Sequence, residues 1–178
     1  MKKTVLTFGL ISGAISAALM LAGVPFVNAI GWEKAEIFGY ATIVLSAIMV
    51  FFGVRSYREK AGGGRLTFGR GFVVGILITL ISSACYVGTW EIVYHKLMPD
   101  FAEKYAAHMV EHAKASGASP QEVEKTQLKA EEFEQMYHNP VINVAMTFTE
   151  VFPIGLVVAA VSAGILRKKL RDPGNLPS

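Results

Sequence analysis

Long apolar runs without charged residues alternate with short polar segments along most of this chain. The uncharged cores of three runs are residues 5–24, 37–54 and 71–90, and a fourth run, 141–166, contains one charged residue, Glu150. A helix of about 20 residues rises roughly 30 Å, which matches the hydrocarbon thickness of a bilayer. None of the runs alternates polar and apolar residues as a membrane strand does. The pattern therefore predicts four helical crossings, at about 4–26, 36–54, 70–92 and 141–166.

The first run also has features of a secretory signal. It follows Lys2 and Lys3, and residues 27–29 are Val-Asn-Ala, a possible cleavage site. Its apolar core is longer than the roughly 7–15 residues of a signal sequence. We therefore expect it to be retained as a helix.

One long polar stretch separates the third and fourth runs. Within it, residues 99–139 have the pattern of a helical hairpin. We predict that Pro99 lies in the first turn of one helix and that Gly117 ends it. Ser119 and Glu122 have the spacing of a capping box at the start of a second helix. Both helices are amphipathic, so they have three possible roles: packing on each other, lying on the outer leaflet, or docking a partner.

The basic residues indicate how the chain is oriented. With the N-terminus inside, eleven Lys and Arg residues lie on the inner side and six on the outer side. Positive charge marks the cytoplasmic side. We therefore expect both termini in the cytoplasm and residues 91–140 outside it.

Composition supports a membrane protein and excludes several other classes. The chain has 178 residues, of which 52% are hydrophobic and 17% charged, and its formal net charge is +3. A typical globular protein has about 25% charged residues. With one cysteine, no intrachain disulfide is possible. These values exclude a disordered chain, a disulfide-rich module and a nucleic-acid-binding protein.

Glu150 is the most informative single residue, because a carboxylate inside the bilayer is costly unless it faces the bundle or water. Asn143 and Thr147 share its helical face, and Ser83 and Tyr86 are expected at a similar depth on the third helix. We predict an intramembrane polar cluster in which Glu150 is protonated or hydrogen-bonded to hydroxyl groups. It is either a proton or ligand site, or a neutral acid that fixes helix register.

Glu91 and His95 form a second candidate site, at the outer mouth of the third helix. Their i, i+4 spacing permits a hydrogen bond or a shared cation. The neighbouring Trp90 and Tyr94 are residues that anchor helices at membrane interfaces. We favour the anchoring role for this region.

Residues 108–112 match the H-x-x-E-H string of inverted zinc proteases. On a helix, His108 and His112 share a face, and a third zinc ligand would have to come from Glu131, Glu132 or Glu134. A short hairpin offers no scaffold to close a site around the metal. We therefore expect a solvated helix face, with weak divalent-metal binding as the alternative, and predict no catalytic residue, metal or cofactor.

Small residues recur at four-residue spacing in the crossings, within 9–17, 71–75 and 155–163. Such spacing lets helix backbones approach closely. We expect these residues to pack within one chain, with homodimerisation as the alternative.

Several strings together resemble one bacterial family of small four-helix membrane proteins, the domain of unknown function 4199. The strings are 51–58 (FFGVRSYR), 72–79 (FVVGILIT), 90–94 (WEIVY), 99–101 (PDF), 137–140 (YHNP), 147–155 (TFTEVFPIG) and 165–169 (ILRKK). The resemblance implies four crossings, an outer helical insert between the third and fourth, and a Gram-negative inner membrane. It implies no substrate, cofactor or catalytic residue.

The sequence thus predicts an all-α, integral membrane four-helix bundle with an amphipathic hairpin in the periplasm. Its leading functional hypothesis is a non-enzymatic accessory subunit that contacts the lipid bilayer and binds a membrane-protein partner or a second copy. The alternative is a small dimeric transporter, or a proton or ion pathway, that uses Glu150. No nucleic-acid partner is expected.

Overall fold

The computed structural model describes residues 1–27 and 31–167. The helices are α1 (Lys2–Gly23), α2 (Trp32–Ala61), α3 (Phe68–Lys96), α4 (Phe101–Ala115), α5 (Pro120–Tyr137) and α6 (Pro140–Leu166), and a 3₁₀ turn, Val24–Phe26, follows α1. Within these described ranges the chain is all-α, as predicted. Asn28 and Ala29 of the possible cleavage site, and Lys168 and Lys169 of the basic C-terminal motif, lie outside the described residues.

Four helices are long and apolar enough to cross a membrane: Lys2–Phe26, Trp32–Ala61, Phe68–Lys96 and Pro140–Leu166. They correspond to the four predicted crossings. The second helix extends beyond the predicted 36–54 at both ends, because polar residues such as Glu33 and Arg58 continue the helix past its apolar run. Helix α4 and helix α5, between the third and fourth spans, are not apolar.

The half of the bundle where α1 begins and α6 ends, here called the terminal half, is closely packed. Helix α3 packs on α1, α2 and α6, and α2 also packs on α1 and α6. The core of this half contains Val50, Val54, Val74 and Ile78. Close approach depends on glycine: a Cβ added to Gly75 would lie 2.6 Å from the Cβ of Ala159.

The other small-residue positions also pack within the chain. Gly9 lies against Ile81, Gly13 against Cys85, and Gly155 against Thr79. Internal packing, the favoured interpretation of these positions, is therefore confirmed.

A serine hydrogen bond joins three helices at mid-depth. The Ser12 hydroxyl on α1 donates to the Ser46 carbonyl on α2 at 2.8 Å, and it lies 2.8 Å from the Ser82 hydroxyl on α3. All three residues are buried. Buried polar groups must be paired in an apolar medium, so this contact fixes the register of the three helices.

The α4–α5 hairpin has the predicted turn and cap. Gly117 has φ of 76°, and the Ala118 amide donates to the Ala113 carbonyl at 3.2 Å, as in a Schellman motif. Ser119 and Glu122 form the predicted capping box. The prediction for Pro99 is wrong: α4 begins at Phe101, and Pro99 lies in the preceding turn.

Candidate functional site

A cavity of about 690 Å³ lies at the opposite end of the bundle, here called the hairpin half. It is bordered by the end of α1, the start of α2, the last turns of α3, the start of α6 and the inner face of the hairpin. Its wall is mainly apolar. The aromatic residues of the wall include Trp32, Tyr40, Tyr86, Trp90, Tyr105 and Tyr137.

The cavity forms because the elements of this half are held apart by large side chains. Trp32 contacts the rings of Phe101 and Tyr105 at centroid distances of 5.6 and 5.7 Å. Trp90 contacts Phe101 at 4.9 Å. Helix α2 also presents Gly39 to the cavity, and a Cβ added there would meet no atom within 4 Å. Aromatic spacers therefore separate the helices where small residues leave room.

Two carboxylates face the cavity. Glu36 on α2 and Glu150 on α6 both line it, and both side chains are exposed. Among the described residues of its wall there is no Lys, Arg or His. The cavity therefore combines an aromatic wall with acidic groups alone.

A buried hydrogen-bond network holds the wall in place. The Trp90 indole donates to the Asn143 side-chain oxygen at 3.2 Å, and the Thr147 hydroxyl donates to the same oxygen at 3.4 Å. The Asn143 amide donates to the Tyr137 carbonyl at 3.3 Å. Asn143 is fully buried, so one side chain links α3, α6 and the end of the hairpin.

The predicted intramembrane cluster is divided by the structure. Tyr86, Thr147 and Glu150 line the cavity, whereas Asn143 lies behind its wall as the hydrogen-bond centre. Ser83 is buried apart from the cavity wall, and its hydroxyl has no hydrogen-bond partner among residues 1–27 and 31–167.

Burial and the nearby acidic residues raise the pKa values of two tyrosines in the hairpin. Burial raises the pKa of Tyr105, and the charges of Glu36, Tyr40 and Glu150 raise it further. Burial is likewise the main reason why the pKa of Tyr137 is raised. Both hairpin tyrosines therefore stay neutral hydroxyl donors through the physiological range.

Glu91 and His95 lie together but outside the cavity wall. The His95 Nδ1 atom is 2.9 Å from the Glu91 carbonyl oxygen and 3.6 Å from its carboxylate. The other carboxylate oxygen of Glu91 is buried, with no partner in the described part of the chain. Trp90 packs on Tyr94 and Phe101. The anchoring role of this region stays a prediction.

His108 and His112 share a face of α4, with ring centroids 6.0 Å apart. The His108 ring stacks on Trp32 at 5.9 Å, and His112 Nε2 lies 3.5 Å from the Glu33 carboxylate. In the described ranges, no group of three or more His, Cys, Asp or Glu residues has the arrangement of a metal site. Both histidines instead connect the hairpin to the start of α2.

Sequence reasoning missed the contribution of α2 to this site. Trp32, Glu36 and Tyr40 have i, i+4, i+8 spacing and line one face of the first turns of α2. That periodicity was a usable signal, since a charged residue between two aromatics on one face is unusual in a lipid-facing helix.

Fold and site together define a class: a multi-pass, four-helix membrane protein with a helical insert that lines an open cavity. A family model described as "Protein of unknown function (DUF4199)" matches residues 7–168. The chain belongs to this family, and the resemblance seen in the sequence is confirmed. No curated protein and no solved structure matches the chain significantly.

Proposed function

We propose that this chain is a non-enzymatic membrane protein that binds a small amphipathic molecule at its hairpin half. The cavity carries this proposal, because a concave, mostly apolar wall with a few polar groups is typical of small-molecule sites. We propose no catalysis, since the described wall joins no nucleophile to a base.

Ligand binding is tested with a neutral probe, N-phenyl-1-naphthylamine, and the intrinsic fluorescence of the purified protein. The chain has two tryptophans, Trp32 and Trp90, and both line the cavity. Energy transfer from them to the probe therefore reports occupancy of the site. We expect saturable transfer with the native protein.

A matched pair of variants locates the binding. Gly39→Leu places a side chain in the cavity, whereas Gly88→Leu places the same side chain on α3 outside its wall, and neither Cβ meets an atom within 4 Å. We expect Gly39→Leu to abolish saturable transfer and Gly88→Leu to retain it. Equal binding by both variants would show that the probe binds elsewhere.

The proposed setting is the inner membrane of a Gram-negative bacterium, with both termini in the cytoplasm and residues 91–140 in the periplasm. The excess of basic residues on the side of the termini supports this orientation. In a Cys85→Ala background, we expect Ser116→Cys to react with an impermeant maleimide in intact spheroplasts and Ala61→Cys to react only after lysis. The reverse pattern would invert the orientation.

The hairpin is the surface we propose for an accessory role. Its inner aromatic residues, among them Phe101 and Tyr105, contact the bundle. Its polar outer face is therefore the part offered to a membrane-protein partner. Copurification of a stoichiometric partner, lost after charge reversal at Glu124 and Lys125, would support this role, and isolation of the chain alone would remove it.

Transport is a second candidate function, favoured by the position of Glu150 inside a span and on the cavity wall. A carboxylate that is reached from a cavity can take up and release a proton or cation. In liposomes, transport predicts a flux that Glu150→Gln abolishes and Glu33→Gln retains. Absence of flux in the native protein would leave binding as the function.

A further inference from the structure

We propose that the cavity takes a cationic amphiphile, meaning an amine or a quaternary ammonium or phosphonium group on an apolar body. This inference rests on the proposed function, since it requires that the cavity bind a ligand. It adds the sign of the ligand's charge and the residues that recognise it.

The first argument is the charge of the side chains that line the cavity, which include two acidic residues and, among those described, no Lys, Arg or His. Glu36 and Glu150, the acidic residues of the wall, form no ion pair with any described residue. The wall therefore carries two acidic side chains, neither of which has a described basic side chain within 4 Å.

The second argument is the aromatic side chains that line the same cavity as these two carboxylates. Trp32 and Tyr40 stand one turn before and one turn after Glu36, and Tyr86 and Tyr105 line the same space. The negative face of an aromatic ring attracts a cation, most strongly when the cation is desolvated. Rings and carboxylates thus favour the same charge.

The third argument is the poor match of other amphiphiles. An anionic head group would bring a like charge into a space that offers no described Lys, Arg or His. Like charges at short range disfavour binding, more strongly in a medium of low dielectric constant than in water. A neutral apolar molecule fits the wall but leaves both carboxylates without a counterion.

Two probes of one shape and opposite charge test this inference: tetraphenylphosphonium and tetraphenylborate. Binding to the full chain in neutral detergent is followed by quenching of Trp32 and Trp90. We expect tetraphenylphosphonium to bind at least about tenfold more tightly than tetraphenylborate. Equal affinity, or preference for the borate, would overturn the inference.

Charge-neutral variants identify the recognising groups. We expect Glu36→Gln and Glu150→Gln each to weaken phosphonium binding about tenfold, and the double variant to lose the preference for the cation. Glu33→Gln is the matched control, because Glu33 is on the same helix but outside the cavity wall. Unchanged phosphonium affinity in the double variant would overturn the inference.

The neutral probe separates the two proposals. In one outcome, N-phenyl-1-naphthylamine binds the native protein, but the protein shows no preference between tetraphenylphosphonium and tetraphenylborate. The cavity is then a binding site, and the inference of a cationic ligand is wrong. If the native protein binds none of the three probes, the proposed function fails as well. Binding of the neutral probe by each Gln variant shows that the variant is folded.

The cationic ligand could be a lipid of the membrane or a molecule taken up from water. Competition with bound tetraphenylphosphonium in phosphatidylcholine nanodiscs distinguishes these two sources. Displacement of tetraphenylphosphonium by stearylamine included in the bilayer indicates a membrane lipid that carries an amine. Retention of the phosphonium under the same conditions excludes such a lipid and leaves a cationic amphiphile that is taken up from water. Each result refines the ligand class that the charge preference establishes.

Discussion

The two halves of this bundle are built from the same four helices but differ in how the helices meet. In the terminal half, glycine and alanine bring α3 and α6 so close that a Cβ at Gly75 would contact the backbone of Ala159 at 3.1 Å. In the hairpin half, aromatic side chains separate the helices around a cavity, and Gly39 faces open space. A small residue thus closes a bundle or opens it, depending on its neighbours.

The two halves also differ in which apolar and acidic side chains they contain. The closely packed half contains an aliphatic core, whereas Glu36 and Glu150 of the cavity wall lie in the open half. A charged group that is costly against lipid is accommodated where a cavity offers space for water or a ligand. We therefore expect the terminal half to provide most of the stability, and the hairpin half is the part for which we propose ligand binding.

The largest expected effect comes from glycine in the closely packed half. Gly75→Val should destabilise the protein by about 3 kcal/mol, because the added carbons must displace Ala159 on α6. Gly39→Val, the matched change in the open half, should alter stability by less than about 0.5 kcal/mol. Both are measured by unfolding in mixed dodecyl maltoside and sodium dodecyl sulfate micelles. Equal losses would remove the distinction between the halves.

The second-largest effect is expected at Asn143, the centre of the hydrogen-bond network behind the cavity wall. Asn143→Ala should cost about 2 kcal/mol, because it leaves the Trp90 indole and the Thr147 hydroxyl without their shared acceptor. Thr149→Ala is the control, since that hydroxyl is exposed and bonds only the Ala145 carbonyl. The same micelle unfolding measures both variants. A neutral Asn143→Ala would contradict the role of this network.

A smaller effect is expected at the serine contact between α1, α2 and α3. Ser12→Ala should cost about 0.6 kcal/mol, the average for a hydrogen bond between membrane helices. Ser16→Ala is the control, because its hydroxyl bonds the Gly13 carbonyl within its own helix. A loss no greater than that of the control would mean that the shared bond adds nothing to helix register.

The smallest effect concerns the hairpin cap and depends on pH. Hydrogen bonds from the Ser119 amide and hydroxyl hold the pKa of Glu122 below its ordinary value of 4.5. A lowered pKa in the folded state means that the cap stabilises α5 fully above pH 4.5 and is lost as pH falls through the lower folded value.

Carboxyl carbon shifts of Glu122 in an NMR titration measure this effect. Ser119→Ala should return the pKa of Glu122 toward 4.5, because both bonds to the carboxylate depend on the cap conformation. Ser116→Ala, whose hydroxyl bonds the Ala113 carbonyl, is the control. An unchanged Glu122 pKa in Ser119→Ala would contradict the capping box.

The fold was predictable because its signals are local. Charge-free runs of helical length, the glycine that ends α4 and the spacing of Ser119 and Glu122 are properties of neighbouring residues. Pro99 misled for the same reason: its residue type suits a first turn, but the preceding chain continues in a turn to Asp100. Pro99 and Asp100 both suit the start of a helix, and local signals do not decide between two such neighbours.

The site was predictable only in part, because the cavity depends on contacts between distant segments. Glu150, Thr147 and Tyr86 were found as polar residues in apolar helices, and all three line the cavity. Glu36 was missed, because its charge was considered alone, at the edge of an apolar run, and not together with Trp32 and Tyr40 on the same helical face. Packing between helices that are far apart in the chain brings the start of α2 to the same cavity as Glu150.

Native mass spectrometry after gentle purification from bacterial membranes tests the central claim most directly. We expect the native protein and Gly88→Leu to retain a small amphiphile, bound as one molecule per chain, and Gly39→Leu to be free of it. The same adduct on all three proteins, or none on the native protein, would contradict the assignment of the hairpin half as a binding site.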